Sequence, residues 1–156
     1  MDAMTILRRC REAAHDIERL AQLIAQRRGV LDGLSGPQMD PNGGGRGSQD
    51  PDKVWRIVAD IDELERKKQR REEEHEVEKV AVTAMMDWLP ITEGKVLYHY
   101  YVNGLSTTEI ARKEKYQASY LRKVKRNGEE MLRMVNPERV DELVPGWYMR
   151  ERSGRK

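Results

Sequence analysis

Basic side chains are concentrated in one short segment of the chain. Residues 112–126 contain seven lysines or arginines against the single acid Glu114, a local excess of six positive charges in a chain whose formal net charge is +2. Residues 52–87, by contrast, contain eight basic and eleven acidic residues. Because a clustered positive surface attracts nucleic-acid phosphates, we predict a polyanion-binding surface in the C-terminal half of the chain.

The side chains of this segment are of the types that read DNA. Amide and small residues come first and are followed by guanidinium and ammonium groups, which bind guanine and phosphate. We predict that five residues enter the major groove: Gln117, Ser119, Arg122, Lys123 and Arg126. Three residues on the preceding helix are expected to contact backbone phosphates: Thr107, Thr108 and Arg112. Two tyrosines flank the basic run, Tyr116 and Tyr120, and their hydroxyl groups either donate to phosphate oxygens or lie at the edge of the core.

Three helices with short connections are predicted to position these side chains. The first covers about 93–102 and ends at Asn103-Gly104, since glycine readily adopts the left-handed conformation that stops a helix. Ser106 and Glu109 have the spacing of a capping box, which begins a second helix that ends near Glu114. The third runs from about 117 to 135 and presents apolar residues at spacings of three and four: Leu121, Val124, Gly128, Leu132 and Val135.

One stretch resembles region 4 of bacterial sigma factors, the helix-turn-helix that reads a promoter element. It is KVLYHYYVNGLSTTEIARKEKYQASYLRKVKRNGEEML, residues 95–132, about a quarter of the chain. The matching residues are Val96-Leu97, Tyr101, Gly104-Leu105-Ser106, Glu109-Ile110-Ala111 and Leu121. Glu114 and Lys115 depart from the pattern, because such modules often have an apolar residue and a glycine there.

The whole layout is similar to that of small regulators carried by phages and integrated elements of Gram-positive bacteria, including the ArpU and RinA late-gene activators. It comprises an N-terminal amphipathic helix (1–31), a Gly/Pro-rich loop (32–49), a long charged helix (50–89), the region-4-like helix-turn-helix domain (90–136) and a C-terminal tail (137–156). The resemblance implies double-stranded DNA as a partner. The N-terminal helices are then expected either to set a homo-oligomeric state or to engage RNA polymerase.

Apolar spacing predicts the first two helices, and the fold class is therefore all-α. The first helix has a stripe formed by Ile6, Cys10, Ala13, Ile17, Leu20 and Ile24. The second begins at Asp50-Pro51 and has a stripe formed by Val54, Ile57, Ile61, Leu64, Val77, Val80, Ala84, Met85 and Trp88. Because a loop joins the two helices, we expect an antiparallel hairpin or coiled coil. Residues 65–76 contain no apolar side chain suited to the stripe, so they form either a solvated rod or a polar seam with a partner chain.

Catalytic, metal-binding and membrane functions have little support in the sequence. The three histidines and the lone Cys10 are scattered, so we expect no enzyme activity, no cofactor and no catalytic residues. Glu12-His15 and Glu72-His75 repeat the spacing of carboxylate-bridged iron sites, but the two pairs differ in helical phase, so no metal site is expected. No apolar stretch approaches the roughly 18 residues of a membrane span, and no signal peptide is evident. We expect a cytoplasmic protein associated with the bacterial nucleoid.

These observations favour a sequence-specific DNA-binding transcriptional regulator of phage or mobile-element origin. One alternative is a phage DNA-packaging protein like a small terminase subunit, which also combines helical oligomerisation with DNA binding. Another is a helical protein-interaction module whose C-terminal part is only structural. Ring-like assembly would favour the first alternative, and absence of DNA binding at low salt would favour the second.

Overall fold

The structure is a computed structural model that describes residues 1–35 and 51–153. In these ranges the chain forms helices and no strand, which confirms the all-α prediction. The helices are α1 (Ala3–Ser35), α2 (Pro51–Met86), α3 (Ile91–Leu97), a π-helical turn (Tyr98–Val102), α4 (Thr107–Glu114), α5 (Ala118–Arg133), α6 (Pro137–Asp141) and α7 (Gly146–Ser153). Most of the predicted Gly/Pro-rich loop and the last residues of the basic tail lie outside the described residues.

Two helix ends differ from the sequence prediction. Helix α1 continues to Ser35, so its last turn occupies positions predicted as loop. In this turn Leu31 and Leu34 pack against an apolar cluster formed by Ile24 of α1 with Ile57 and Ile61 of α2. The predicted single helix over 93–102 begins at Ile91 and changes to π-helical hydrogen bonding at Tyr98. A π-helical turn of this kind inserts one residue into a helix and shifts the direction of the side chains that follow.

The chain divides into two compact units, and α1 and α2 contribute residues to both. The first unit comprises the described residues among 1–15 and 72–156, and the second comprises those among 16–71. Among the described residues no helix is both long enough and apolar enough to cross a membrane.

The second unit is an antiparallel helical pair. Buried Ile24 of α1 packs with Ile57 and Ile61 of α2. Asp16 forms an ion pair with Arg71 at 2.9 Å, and Arg28 forms one with Glu65. Residues later in α1 therefore contact residues earlier in α2, so the two helices run antiparallel. The predicted antiparallel hairpin is present in this unit.

The first unit has a main core built from both ends of the chain. Its buried members include Ile6 and Leu7 of α1, Val82 and Met85 of α2, and Tyr148 of α7. The predicted stripe of α2 was wrong at Val80, which is 64% exposed. The buried face instead follows Glu78, Ala81, Val82 and Met85, which share one helix face at spacings of three and four.

A buried carboxylate explains this shift of the buried face. Glu78 is fully buried, and its Oε1 accepts a hydrogen bond of 2.8 Å from the hydroxyl of Tyr148. Because the hydroxyl donor lowers the cost of burying one oxygen of the carboxylate, a charged residue can occupy a position that sequence patterning assigns to the surface. The bond also joins α7 to the core.

Candidate nucleic-acid interface

A small separate core holds the helix-turn-helix together. Its buried members are Val96 of α3, Ile110 of α4, and Leu121 and Val124 of α5. Each of the three helices therefore contributes to it, and this core fixes the directions in which α4 and α5 present their outer faces. Burial of these side chains is the main stabilising term for such a module.

Helix α4 begins with the capping box that the sequence predicts. The Ser106 Oγ accepts a hydrogen bond from the Glu109 N–H at 3.1 Å, and the Glu109 carboxylate accepts one from the Ser106 N–H at 3.3 Å. The motif satisfies amide groups that would otherwise be unpaired at the helix N-terminus. It therefore fixes the start of α4, immediately before Thr107 and Thr108.

The turn between α4 and α5 has a lysine in the left-handed conformation. Lys115 has φ 58° and ψ 42°, and it is the one non-glycine residue with positive φ among residues 1–35 and 51–153. Its N–H donates to the Ala111 carbonyl, and the Tyr116 N–H donates to the same oxygen at 2.9 Å. The turn therefore keeps a tight helix-capping geometry without the glycine that region-4-like modules often have there.

Glu114, the second departure from the sigma-factor pattern, is the centre of a polar network. Its carboxylate lies 2.7 Å from Lys95 Nζ and 2.9 Å from His99 Nε2. The hydrogen bond from Lys95 is the largest cause that holds the pKa of Glu114 below its usual value, followed by the hydrogen bond from His99. The same contact raises the pKa of Lys95. These contacts connect the C-terminal end of α4 to α3 and to the π-helical turn.

The outward face of α5 presents unpaired positive charge. Arg122, Lys123 and Arg126 are exposed, and within the described part of the chain they form no ion pair. By contrast, Lys125 is half-buried and pairs with Glu129, which also lies 3.9 Å from Arg133. At 3.6 residues per turn, the three exposed cations fall on the side of α5 opposite its buried stripe. They are therefore available to an external anion.

The first turn of α5 offers the predicted polar side chains beside these cations. Ser119 is exposed, and Gln117 precedes the helix as its N-cap residue without using its side chain in a cap hydrogen bond. Tyr116 packs against the small core, whereas Tyr120 is 47% exposed. The two rings meet edge to face with centroids 5.2 Å apart. Tyr116 thus lies at the core edge, and of the two tyrosines Tyr120 is the one more exposed for a phosphate contact.

Residues of α4 and α5 meet at a shallow depression. Its lining consists of Thr107, Thr108, Ala118, Leu121 and Arg122. Two of the three residues predicted to contact phosphate therefore lie next to Arg122, a residue predicted to read bases. Arg112 is exposed on α4, four residues after Thr108 and therefore on the same side of the helix, but it does not line this depression.

Two residues that sequence reasoning did not assign to this region contact it from α1. The Arg11 guanidinium donates to the carbonyl oxygens of Tyr100 and Leu105, the latter at 2.9 Å. The His15 Nε2 lies 3.0 Å from the Gly104 carbonyl oxygen. These pairs are separated by 89 or 94 positions in the sequence, and no local pattern of residue types points to such contacts.

Cys10 and two of the three histidines make contacts within the first unit. Cys10 is buried in the main core, and burial is the largest cause that raises the pKa of its thiol to about 12. His99 and His15 hydrogen bond within the first unit. Among the described residues no group of three or more His, Cys, Asp and Glu side chains could hold a metal ion.

Comparison with protein-family models, with curated proteins and with solved structures found no match to this chain.

Proposed function

We propose that this protein is a sequence-specific DNA-binding transcriptional regulator that reads the major groove with α5. The observation that carries the proposal is the outward face of α5, where Arg122, Lys123 and Arg126 are exposed without an anionic partner in the described chain. An α-helix fits the major groove of B-form DNA, and α5 has 16 residues, a length of about 24 Å. Lysine and arginine side chains that neutralise DNA phosphates release counterions, and this release favours binding.

Each predicted contact has a role in this proposal. Arg122, one turn into α5, donates a bidentate pair of hydrogen bonds to the O6 and N7 atoms of a guanine. Gln117 and Ser119 approach base edges at the N-terminal end of the helix, and Lys123 and Arg126 contact guanine or phosphate. Three residues of α4 and one of α5 contact the backbone and set the register: Thr107, Thr108, Arg112 and Tyr120.

The regulatory part of the proposal rests on the resemblance of residues 95–132 to sigma factor region 4. This resemblance supports transcription, with RNA polymerase as a protein partner, over other roles that use DNA binding. We also propose a homo-oligomer formed through the second unit. Two apolar side chains of α1, Leu23 and Val30, are exposed there at a spacing of seven, which places them on one helix face.

Selection of binding sites from random double-stranded DNA tests the proposed function. We expect the purified protein to enrich a short common sequence at moderate salt, and its affinity for that sequence to exceed its affinity for a scrambled one by a factor of about 10³ or more. Equal affinity for both DNAs would contradict sequence-specific reading. No binding to either DNA at low salt would instead favour a protein-interaction module, and ring-like assemblies seen by electron microscopy would favour DNA packaging.

A further inference from the structure

Helix α1 contacts the segment that leads into the helix-turn-helix through three residues, which we call the α1 clamp: Arg11, Ala14 and His15. They share one face of α1, because they are spaced by three and four residues. The Arg11 guanidinium donates to the carbonyl oxygens of Tyr100 and Leu105, and it also lies 3.7 Å from the centroid of the Tyr100 ring. The clamp therefore holds both the end of the π-helical turn and the residue that precedes Ser106.

The contacted segment needs such donors, because the carbonyl groups at the end of a helix have no partner in the next turn. The backbone itself supplies two bonds here. The Asn103 N–H donates to Tyr98 at 3.2 Å, and the Leu105 N–H donates to His99 at 3.1 Å. Arg11 and His15 contact three further carbonyl oxygens, those of Tyr100, Gly104 and Leu105.

Gly104 shows how closely α1 approaches this segment. Its φ is +71°, and a Cβ atom built on it would lie 3.2 Å from the His15 ring and 3.5 Å from the Ala14 Cβ. The backbone conformation therefore favours glycine, and the contact with α1 leaves little room for a side chain. The segment 100–106 packs directly against the clamp, and Ser106 at its end is the N-cap of α4.

We infer that Arg11 is a positioning residue for DNA reading. By fixing segment 100–106, it fixes the start of α4 and with it the depression where Thr107 and Thr108 meet Arg122. Arg11 acts through backbone carbonyl groups and does not itself contact DNA. Side chains that contact phosphates and bases must be held at fixed distances from one another, and binding to DNA weakens when these distances vary. Loosening segment 100–106 therefore weakens the recognition of a DNA sequence. The inference rests on the proposed function.

The test compares Arg11→Ala with Arg11→Lys and with Arg8→Ala. Arg8 is exposed on the same helix, so its replacement removes the same charge without touching the clamp. In the free protein, we expect Arg11→Ala to speed amide hydrogen exchange at Leu105 and Glu109 by about tenfold or more, since it removes two charge-assisted hydrogen bonds. Arg8→Ala leaves exchange unchanged. Arg11→Lys restores part of the protection, because an ammonium group can still donate to the carbonyl oxygens.

The same variants are then measured on selected and scrambled DNA at several salt concentrations. We expect Arg11→Ala to weaken binding to selected DNA about tenfold and to weaken binding to scrambled DNA less. The dependence of the affinity on salt concentration should stay unchanged. Arg11→Lys should again recover part of the lost affinity. A salt slope reduced by about one would overturn the inference, since Arg11 would then contact phosphate itself. Exchange that rises equally throughout the first unit, with no loss of affinity in the folded protein, would overturn it in favour of a general stabilising role.

The two readouts separate this inference from the proposed function. If the parent protein binds no DNA, the proposed function is wrong, and hydrogen exchange still shows whether Arg11 holds segment 100–106. If the parent binds selected DNA and Arg11→Ala binds it equally well, the proposed function stands and the positioning role is wrong.

Discussion

The carboxylate of Glu114 at the end of α4 lies 2.9 Å from the Nε2 atom of His99 in the π-helical turn. Asn103 Nδ2 lies 3.2 Å from Nδ1, the other ring nitrogen of His99, so both ring nitrogens have a polar partner. Lys95 of α3 approaches the second oxygen of Glu114 at 2.7 Å. A position that is often apolar in region-4-like modules is here a carboxylate with two donors, and the attachment of α4 to α3 therefore depends on charge.

Replacing Glu114 by Gln tests this dependence on charge. The pKa of Glu114 is lower in the folded protein than the ordinary value of a glutamate, because Lys95 and His99 hydrogen bond to its carboxylate. Its ionised form therefore stabilises the fold fully above about pH 4.5, and this stabilisation is lost as the pH falls through the lower folded pKa. We expect urea unfolding to show Glu114→Gln less stable than the parent at pH 7, with the difference shrinking in acid. Glu130→Gln, at an exposed position of α5, is the control and should change little. A difference that persists unchanged at pH 3 would show that charge is not the cause.

Lys115→Gly should stabilise the protein by about 1 kcal/mol. A lysine in the left-handed region carries a steric cost that glycine does not, and this relief exceeds the extra backbone entropy that glycine loses on folding. The control is Lys113→Gly within α4, which should destabilise by about 1 kcal/mol because glycine is a poor helix former. Urea unfolding of both variants measures the effect. Equal destabilisation by the two substitutions would mean that Lys115 is not left-handed in solution.

Gly128→Ala should loosen the crossing of α3 and α5. A Cβ atom at Gly128 would lie 2.9 Å from Leu97 Cδ1 and 3.3 Å from Glu93 Cβ, and Leu97 is fully buried, so either its side chain or the helices must shift. Overpacking of this kind costs about 1 to 3 kcal/mol. At Gly29 of α1 a Cβ atom would meet nothing within 4 Å, and Gly29→Ala should therefore stabilise by about 0.5 to 1 kcal/mol. A stabilising effect of Gly128→Ala would show that the contact between α3 and α5 has room for a methyl group.

Self-association is expected to depend on the exposed apolar face of α1. The double variant Leu23→Gln, Val30→Gln removes apolar surface that a second copy would bury, and it should lower the average mass measured by light scattering at tens of micromolar. Ala25→Gln, on the opposite flank of α1, is the control and should leave the mass unchanged. A parent protein that is strictly monomeric at these concentrations would contradict the proposed homo-oligomer.

Local chemistry made several elements predictable from the sequence. The capping box needs only Ser106 and Glu109 at a spacing of three, and both of its hydrogen bonds are present. The buried stripe of α5 follows from helical periodicity, and Leu121, Val124 and Leu132 are buried. The same periodicity predicts which side chains of α5 face outward, because a helix that buries one face must expose the other.

Contacts between residues distant in sequence were not predictable in this way. Glu78 lies in the core because Tyr148, 70 positions away, donates a hydrogen bond to its carboxylate. Arg11 of α1 contacts the segment before the helix-turn-helix, where the carbonyl groups of Tyr100 and Leu105 accept its hydrogen bonds. The π-helical turn at Tyr98–Val102 was also absent from the sequence prediction, since helical periodicity alone does not signal such a turn. Periodicity assigns residues to helix faces, whereas their partners depend on how the helices pack.

The most direct test of DNA reading by α5 is the affinity of Arg122→Ala and Arg112→Ala for selected and scrambled DNA over a range of salt concentrations. We expect Arg122→Ala to lose about 1 to 3 kcal/mol on selected DNA and to relax base preference at one position. Arg112→Ala should weaken binding to both DNAs about equally, and it should reduce the slope of log affinity against log salt concentration by about one. Ile110→Asp, which buries an unpaired charge in the small core, should abolish binding to both. If Arg122→Ala binds selected DNA as tightly as the parent protein does, α5 does not read the major groove.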